Sequence, residues 1–234
     1  MTSAQRTDEA CSRAAGENTR ATIVFDFDGT LVSRDSFFDF SLRFCLQRPA
    51  RILFVALSAP WALLATLRSV DAALSVFLWA MTFGVSTRQF VELLRSYARE
   101  VLPGAVNEAI WEELRAHHGA GNRVAIATGS LPLLVRELST ARGLPGLAIV
   151  GSRLRRKWGG LVAETHCTGP TKVHELERRF GITRWSAVYT NSFADRALML
   201  GTPDITLVGP SRSTLLRTRR LIGPGTTLRV LPAR

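Results

Sequence analysis

The stretch FDFDGTL, residues 25–31, ends a short apolar run and places two carboxylates two residues apart. In an extended segment such side chains point the same way, so Asp26 and Asp28 are expected to face one crevice at a strand end. Gly29 allows the chain to turn away sharply after them. Because the two acids repel each other, a divalent cation that neutralises one, with a proton on the other, is the arrangement that maintains them most easily.

Further apolar runs predict strands that follow this first one, TIVFDF at 22–27. They are RVAIAT at 123–128, GLAIV at 146–150, WSAVYT at 185–190 and DITLV at 204–208. Segments with helical spacing separate most of them, and two of these end at Gly143 and Gly181. Short buried strands that alternate with helices predict a parallel α/β sheet, with a ligand site beyond the carboxyl ends of the strands.

Composition limits the class of protein. The 234 residues are 46% hydrophobic, which is enough for one core with an insertion. The three cysteines are widely spaced and form no C-x-x-C pair, so neither a disulfide framework nor a zinc site is expected, and a reducing compartment fits best. Residues 1–20 are polar and are predicted to form a disordered tail rather than a secretory signal.

The net charge of +11 predicts a negatively charged partner: nucleic acid, a phosphorylated small molecule or an anionic membrane surface. Nucleic acid is disfavoured, because the basic residues form no recognised reader motif and the aromatic residues concentrate in an apolar segment. Arginines at 153–156 and in the acid-free segment 211–234 are candidates for contact with lipid headgroups. For the latter segment, solvated surface charges are an equally good interpretation.

Residues 52–87 are the most apolar part of the chain, and Arg68 and Asp71 are their only charges. We predict two apolar arms around a polar turn. Each arm has about sixteen uncharged residues, fewer than the roughly 20 that a membrane-spanning helix needs, and Pro60 is expected to interrupt the first arm. A re-entrant or surface-embedded helical hairpin suits these lengths, and a cap packed entirely on itself is the alternative.

Aromatic and basic side chains favour the membrane interpretation of this hairpin. Trp61, Trp79 and Phe83 lie in the two arms, and Arg48 and Arg51 lie at the start of the first. Amphipathic aromatic rings and cations settle at the level of lipid headgroups. We therefore expect these five side chains to face the membrane surface.

The string DFDGTL resembles motif I of the haloacid dehalogenase (HAD) superfamily, whose other motifs follow in the expected order. In that family the first aspartate is the nucleophile and the second is the general acid/base, which implies these roles for Asp26 and Asp28. The resemblance also implies a Rossmann-like parallel sheet core, with a hydrophobic α-helical cap inserted between motifs I and II. The implied core is 21–34 and 105–234, and the implied cap is 35–104.

VAIATGS, residues 124–130, matches the second motif, a hydrophobic strand that ends in Ser or Thr. The resemblance implies that Thr128 holds a phosphoryl oxygen. Gly129 and Ser130 are predicted to open a helix, whose first N–H groups favour an anion. With Gly29, Gly129 and the lysine of the third motif, Thr128 makes up the implied phosphate site. A simple helix cap is the alternative role for Thr128.

The third motif, a lysine at the start of a helix, is supplied by Lys172 in CTGPTKVHEL. A compact ammonium suits a site where it must bridge a carboxylate and a phosphoryl oxygen. The fourth motif falls on Asn191 and Asp195 in YTNSFAD, although the family usually has an acid at the first position. The implied Mg²⁺ ligands are Asp26, Asp28, Asn191 and Asp195. The asparagine removes one negative charge, so weaker metal affinity is expected.

Several segments together resemble a narrower branch, the bacterial phosphatidylglycerophosphatase C group, which is related to phosphoserine phosphatase. These segments are FLWAMTFGVS, IATGSLPLLV, WGGLV and CTGPTKVHELER. The resemblance implies a Mg²⁺-dependent phosphatase on the cytoplasmic face of the bacterial inner membrane, acting on a phosphorylated lipid, phosphatidylglycerophosphate. It implies an aspartyl-phosphate intermediate, and it says nothing of oligomeric state.

Two alternatives stay open. One is a soluble cytoplasmic phosphatase for a small metabolite such as phosphoserine, with the apolar insertion as a buried cap. The other is a non-catalytic lipid- or phosphate-binding homologue, in which Asn191 marks a lost site. None of these interpretations requires the four histidines, which we expect to be surface or helix residues: His117, His118, His166 and His174.

Overall fold

The computed structural model describes residues 20–232, so the tail predicted for residues 1–20 lies outside it apart from Arg20. A six-stranded sheet in the order β3-β2-β1-β6-β7-β8 forms the centre, and all its neighbouring strands are parallel. Its strands are β1 Thr22–Phe25, β2 Arg123–Ala127, β3 Ala148–Val150, β6 Ala187–Thr190, β7 Asp204–Val208 and β8 Thr227–Leu231. The predicted α/β class and all five predicted strands are confirmed.

Both faces of this sheet are buried, which explains why its central strands are apolar throughout. Along β1, Ile23 and Phe25 belong to one buried cluster, whereas Val24 between them belongs to another. Successive strand residues point to opposite faces, so the two clusters lie on opposite sides of the sheet. Helices cover both sides, as a parallel sheet requires.

Nine α-helices and two short 3₁₀ segments accompany the strands in the described chain. The α-helices are α1 Ser36–Leu46, α2 Pro49–Thr66, α3 Val70–Thr82, α4 Thr87–Glu100, α5 Glu108–Gly119, α6 Pro132–Ala141, α7 Pro170–Phe180, α8 Arg196–Met199 and α9 Arg212–Leu221. The 3₁₀ segments are Leu102–Ala105 and Phe193–Asp195. Helices α1 to α4 lie between β1 and β2, inside the segment 35–104 that was assigned to the cap.

Helices α2 and α3 form the expected apolar hairpin, but two details differ from the predictions. The predicted interruption at Pro60 is wrong: α2 continues through this exposed proline, and its packing along α3 offsets the hydrogen bond that the proline removes. A cap packed entirely on itself is also not observed, because Ser58 is the only buried residue of α2. Large apolar side chains are instead exposed, among them Leu57 at 66% and Trp61 at 68%.

The length of α2 bears on the membrane prediction. With 18 residues, a mean hydropathy of 1.4 and 6% of the segment buried, it is long and apolar enough to cross a membrane. Helices α3 and α4 pass the same test only as a pair, and they are bent by 97° at the break between them. These lengths and compositions are weak support for a membrane span by themselves.

A second hairpin, formed by β4 Arg153–Lys157 and β5 Gly160–Thr165, packs against α3 and was not predicted. The turn between β4 and β5 contacts two side chains of α3. Trp79 Nε1 donates to Trp158 O at 2.9 Å, and a Cβ atom on Gly160 would lie 2.7 Å from Trp79 Cδ1. Thr82 Oγ1 accepts from Leu161 N at 2.7 Å. Gly160 therefore lacks a side chain because the Trp79 ring occupies that space.

Two side chains expected at the membrane surface make internal contacts instead. Trp79 binds the β4–β5 turn as described. Arg51 Nη1 donates to Met81 O near the end of α3 at 2.8 Å, and its guanidinium lies 4.2 Å from the ring centre of Phe44. Both residues therefore have a role within the fold, and their place at the membrane surface stays a prediction. Trp61, in contrast, is exposed as expected.

Candidate active site

The predicted site residues meet at one edge of the sheet because three neighbouring strands end there. Phe25 of β1 pairs with Ile126 of β2 and Tyr189 of β6. The residues that follow these three positions are therefore brought to the same edge. Asp26 extends β1 by one further hydrogen bond, from its N to Tyr189 O at 2.8 Å.

A buried ammonium connects two of these strand ends. Lys172 Nζ lies 2.7 Å from Asp26 Oδ1 and 2.7 Å from Asp195 Oδ1. The side chains of Lys172, Asp26 and Asp195 are only 5%, 7% and 3% exposed. Asp195 Oδ2 also accepts from Thr190 Oγ1 at 2.7 Å. Asp195 is thus placed to hold the lysine.

Burial and charge shift the protonation equilibria of this triad. Burial raises the pKa of Asp26 to about 7; the Lys172 ammonium acts in the opposite direction, and the Asp195 carboxylate adds to the rise. Burial disfavours the ammonium, but the attraction of Asp26 and Asp195 raises the pKa of Lys172 above its usual range. Lys172 therefore stays protonated. A further cation near Asp26 would favour the ionised form that a nucleophile needs.

Asp28 is held from two sides. Its Oδ1 accepts from Ser36 N, the first residue of α1, at 2.8 Å, and its Oδ2 accepts from Thr128 Oγ1 at 3.0 Å. Burial raises the pKa of Asp28, although hydrogen bonds from Ser36 and Ser130 lower it. A carboxyl group that keeps its proton to higher pH is suited to donate it as a general acid. Ser36 is a site residue that the sequence motifs did not reveal.

Thr128 is buried beneath the cavity, and the phosphoryl contact that we predicted for it stays a prediction. It is fully buried; its hydroxyl donates to Asp28 and accepts from Ser130 N at 2.9 Å. Gly129 and Ser130, rather than Thr128, line the cavity above the carboxylates. Helix α6 begins only at Pro132 after an N-cap at Leu131, so Thr128 is not its cap and Gly129 does not open it. In this structure Thr128 positions Asp28.

Asn191 and Gly29 are in close contact. Gly29 has φ +74°, and a Cβ atom on it would lie 1.9 Å from Asn191 Nδ2. A side chain at position 29 is therefore excluded both by the left-handed backbone and by the amide that lies against it. Gly29 thus serves to admit Asn191 to the edge of the site.

The residues fit a weakly held magnesium ion rather than a four-ligand site. Within residues 20–232, no group of three or more His, Cys, Asp or Glu side chains is arranged to bind a metal. Both carboxylate oxygens of Asp28 and of Asp195 accept from protein donors, whereas Asp26 is held closely only through Oδ1, by Lys172. Asp26 Oδ2, whose one contact is with Thr30 Oγ1 at 3.5 Å, and the amide of Asn191 are therefore the oxygens left for a metal. Mg²⁺ is commonly bound through one or two carboxylates, with water and substrate phosphate as the other ligands. Mg²⁺ and its ligand set stay predictions.

The carboxylates and Lys172 open into a cavity of about 480 Å³ between the sheet edge and the helical cap. Much of its wall is apolar, including Phe37, Leu74, Phe77, Leu78, Leu131 and Leu154. His166 also lines the cavity, and its Nδ1 lies 2.6 Å from Asp71 Oδ1. The expectation that His166 is a simple surface residue is therefore wrong.

A second polar cluster surrounds Tyr189, near the ends of the two strands that carry the site. Tyr189 stacks on Phe25 with ring centres 4.3 Å apart, and its hydroxyl donates to Glu113 Oε2 at 2.9 Å. His117 Nε2 lies 3.0 Å from the same hydroxyl, and Arg229 of β8 pairs with Glu113 at 3.0 Å. These residues fix the two strands that end in Asp26 and Asn191. His118 and His174 are exposed, as expected.

Comparison with known proteins identifies the family. Residues 23–200 match the model for the haloacid dehalogenase-like hydrolases, and the chain belongs to this family. Protein CicA of Caulobacter vibrioides is 32% identical over 190 residues, which cover 76% of this chain and 81% of that protein. The prediction of an enzyme of the HAD hydrolase type is confirmed, and the family supports phosphatase activity.

Solved structures share the fold at low identity. A protein of unknown function from Bordetella pertussis Tohama I has a TM-score of 0.68 and 18% identity, over 91% of this chain and 99% of that one. A phosphoserine phosphohydrolase-like protein from Francisella tularensis has a TM-score of 0.59 and 13% identity, over 89% and 94%. At these identities the likeness concerns the fold alone.

The exchange Asn191→Asp tests the metal assignment. We expect the variant to bind Mg²⁺ several-fold more tightly, because a carboxylate offers a charged oxygen where the amide offers a neutral one. Isothermal titration with Mg²⁺ gives the affinity directly. Asn122→Asp, which makes the same charge change just before β2 at the opposite end of the sheet, is the control and should leave the affinity unchanged. Equal affinities for Asn191→Asp and the parent protein would contradict the assignment.

Proposed function

We propose that this chain is a Mg²⁺-dependent phosphomonoesterase that works through an aspartyl-phosphate on Asp26. The observation that carries the proposal is the buried Lys172 between Asp26 and Asp195, next to a second buried carboxyl at Asp28. A nucleophile, an acid and a cation then lie at one end of one cavity. A non-catalytic role does not account for this arrangement of buried charges, which is costly to maintain.

Each proposed step uses a named side chain. The Asp26 carboxylate attacks phosphorus in line, the bond from phosphorus to the alcohol oxygen breaks, and Asp28 gives its proton to that oxygen. The Asp28 carboxylate then takes a proton from water, whose oxygen attacks phosphorus and releases phosphate from Asp26. Lys172 and the backbone N–H of Gly129 would offset charge on the phosphoryl oxygens. Bound Mg²⁺ would supply further charge neutralisation there.

For the substrate we propose a phosphorylated lipid, most specifically phosphatidylglycerophosphate, which would yield phosphatidylglycerol. Two features of the cavity support a lipid substrate. Its walls are largely apolar, and they continue into the exposed hairpin. Val70 both lines the cavity and is 73% exposed at the start of α3, and Phe38 does the same from α1. An apolar tail could thus leave the cavity along side chains that already face outward.

A small polar phosphomonoester such as phosphoserine is the second candidate. It is supported by the shared fold with a phosphoserine phosphohydrolase-like protein. Phosphoserine carries an ammonium and a carboxylate beyond its phosphate, and both need polar partners. Among the described residues that line the cavity, only Lys172 and His166 are basic, and Lys172 is already paired with two carboxylates. His166 could bind the carboxylate, but much of the cavity wall is apolar, so we rank the lipid first.

We also propose that the protein acts at an anionic membrane surface on the cytoplasmic side. The support is the exposed apolar face of the α2–α3 hairpin together with the net charge of +11. Of the candidate arginines, Arg155 and Arg156 are exposed, although Arg156 also donates to Val85 O, and Arg153 pairs with Glu164. Arg219 and Arg220 of α9 are exposed as well.

The substrate proposal is tested with purified protein, Mg²⁺ and three substrates offered separately: phosphatidylglycerophosphate, lysophosphatidic acid and phosphoserine. We expect phosphate release from phosphatidylglycerophosphate to have the highest kcat/KM, because its tail and phosphate fit the two ends of the cavity. Asp26→Asn should abolish release, because an amide is not a nucleophile toward phosphorus.

The same assay separates the two candidates. Fastest hydrolysis of phosphoserine would replace the lipid proposal by the second candidate. Undiminished activity in Asp26→Asn would refute the aspartyl-phosphate in either case.

The membrane proposal is tested by co-sedimentation with vesicles of phosphatidylglycerol and phosphatidylcholine. The triple exchange of Leu57, Trp61 and Leu64 to serine should reduce binding at least tenfold, because each fully buried side chain of this size contributes roughly 1.5–3 kcal/mol. As a control, exchange of Leu200, Leu216 and Val230, which are exposed outside the hairpin, should leave binding unchanged. Equal loss in both triple variants would contradict a specific role of the hairpin.

A further inference from the structure

The active-site cavity contains a basic side chain that the proposed mechanism does not use. His166 directly follows β5, and its Nδ1 lies 2.6 Å from Oδ1 of Asp71 in the first turn of α3. A carboxylate at this distance accepts a hydrogen bond, so Nδ1 carries a proton. Among residues 20–232, Nε2 has no hydrogen-bond partner, although the imidazole lines the cavity.

His166 lies near the start of α3, where the lipid proposal requires the apolar tail to leave the cavity. Asp71 lies between Val70 and Leu74 of α3, and both of these side chains line the cavity. On the other side, the chain runs from His166 through a turn to Lys172, with Thr168 N donating to His166 O and Lys172 N donating to Gly169 O. His166 therefore contacts the start of α3 through Asp71, and Lys172 of the phosphate end follows it six positions later in the chain.

His166 differs in charge from most other titratable side chains of the cavity. The other titratable side chains that line it are Lys172 and four acids, Asp26, Asp28, Asp35 and Asp195. Lys172 is already shared by two carboxylates. A second anionic group on a substrate would be repelled by the acids. Among the described cavity residues, His166 is the basic side chain outside the Lys172 triad, and its Nε2, which has no protein partner, would donate to an anion as the imidazolium.

We propose that His166, oriented by Asp71, binds a second anionic group of the substrate, of phosphodiester chemistry, between the transferred phosphoryl group and the apolar tail. Asp71 is then a positioning residue and His166 a specificity-determining residue. The inference rests on the proposed function, because it applies only if the substrate is a phosphorylated lipid. Under this inference, His166 distinguishes a lipid that carries both a phosphodiester and a phosphomonoester from a lipid that carries a phosphomonoester alone.

The test compares two lipids with the same short acyl chains in the same detergent micelles. Phosphatidylglycerophosphate carries both groups, and phosphatidic acid carries the monoester alone. His166→Ala should raise KM for phosphatidylglycerophosphate roughly tenfold, the scale of one charge-assisted hydrogen bond, with kcat little changed. Both constants for phosphatidic acid should stay within about twofold, because no second anion is lost there.

Three further variants identify the cause of the effect. His166→Arg should restore much of the preference, because a guanidinium also binds a phosphodiester. Asp71→Asn should cause a smaller loss in the same direction. His174→Ala, an exposed histidine of α7 outside the cavity lining, is the matched control and should leave both substrates unchanged.

The outcomes distinguish this inference from the proposed function. If the parent protein hydrolyses neither lipid, the proposed function fails and the inference falls with it, whatever the variants do. If the parent hydrolyses both lipids and His166→Ala lowers both equally or neither, the proposed function stands and the role of His166 is overturned. A selective rise in KM for phosphatidylglycerophosphate supports it.

Discussion

Lys172 is a buried ammonium held at 2.7 Å by two buried carboxylates, and the three partners come from separate parts of the chain. Asp26 follows β1, Asp195 follows β6, and Lys172 lies in the first turn of α7. Removing one partner of such a buried pair costs roughly 3–5 kcal/mol, because the remaining charge is left without compensation. The parallel register of β1 and β6, and the position at which α7 starts, are therefore tightly constrained.

Other features of the site follow from this constraint. Two carboxylates and one ammonium leave a net negative charge in a buried place, which is suited to attract a divalent cation or a proton. Asp28 lies outside the triad and is held by Ser36 and Thr128, so its protonation is governed by a different set of neighbours. Two neighbouring acids with different environments are what a nucleophile and a general acid require.

The helical cap extends from the charged end of the cavity to the exposed apolar face of the α2–α3 hairpin. Helix α3 contacts the β4–β5 hairpin through Trp79 and Thr82 on one side, and its first turn reaches the cavity through Asp71 and His166. The exposed face of α2 continues from the same end. Recognition of a substrate tail and attachment to a surface would thus use one continuous set of side chains.

Much of this could be predicted from the sequence, because the signals are local. The apolar run before DFDGTL and four similar runs predict the strands, and the strand ends predict which polar residues meet. The basic strand RLRRK and the alternating TLRVL lack such an apolar run, so β4 and β8 are not predicted. Strand β5, GLVAET, is not predicted because its hairpin partner β4 is not. The hydroxyl of Thr128, the N–H of Ser36 and the Asp71–His166 pair depend on contacts between distant segments, which one sequence does not specify.

The central claim, that Asp26 is the nucleophile, is tested most directly by trapping the intermediate. Protein mixed with phosphatidylglycerophosphate and Mg²⁺ is quenched with acid within one turnover, digested and analysed by mass spectrometry. The account predicts a phosphoryl group on Asp26 in the peptide that contains DFDGTL. Phosphate release without any modified peptide, or a phosphoryl group on another residue, would contradict it.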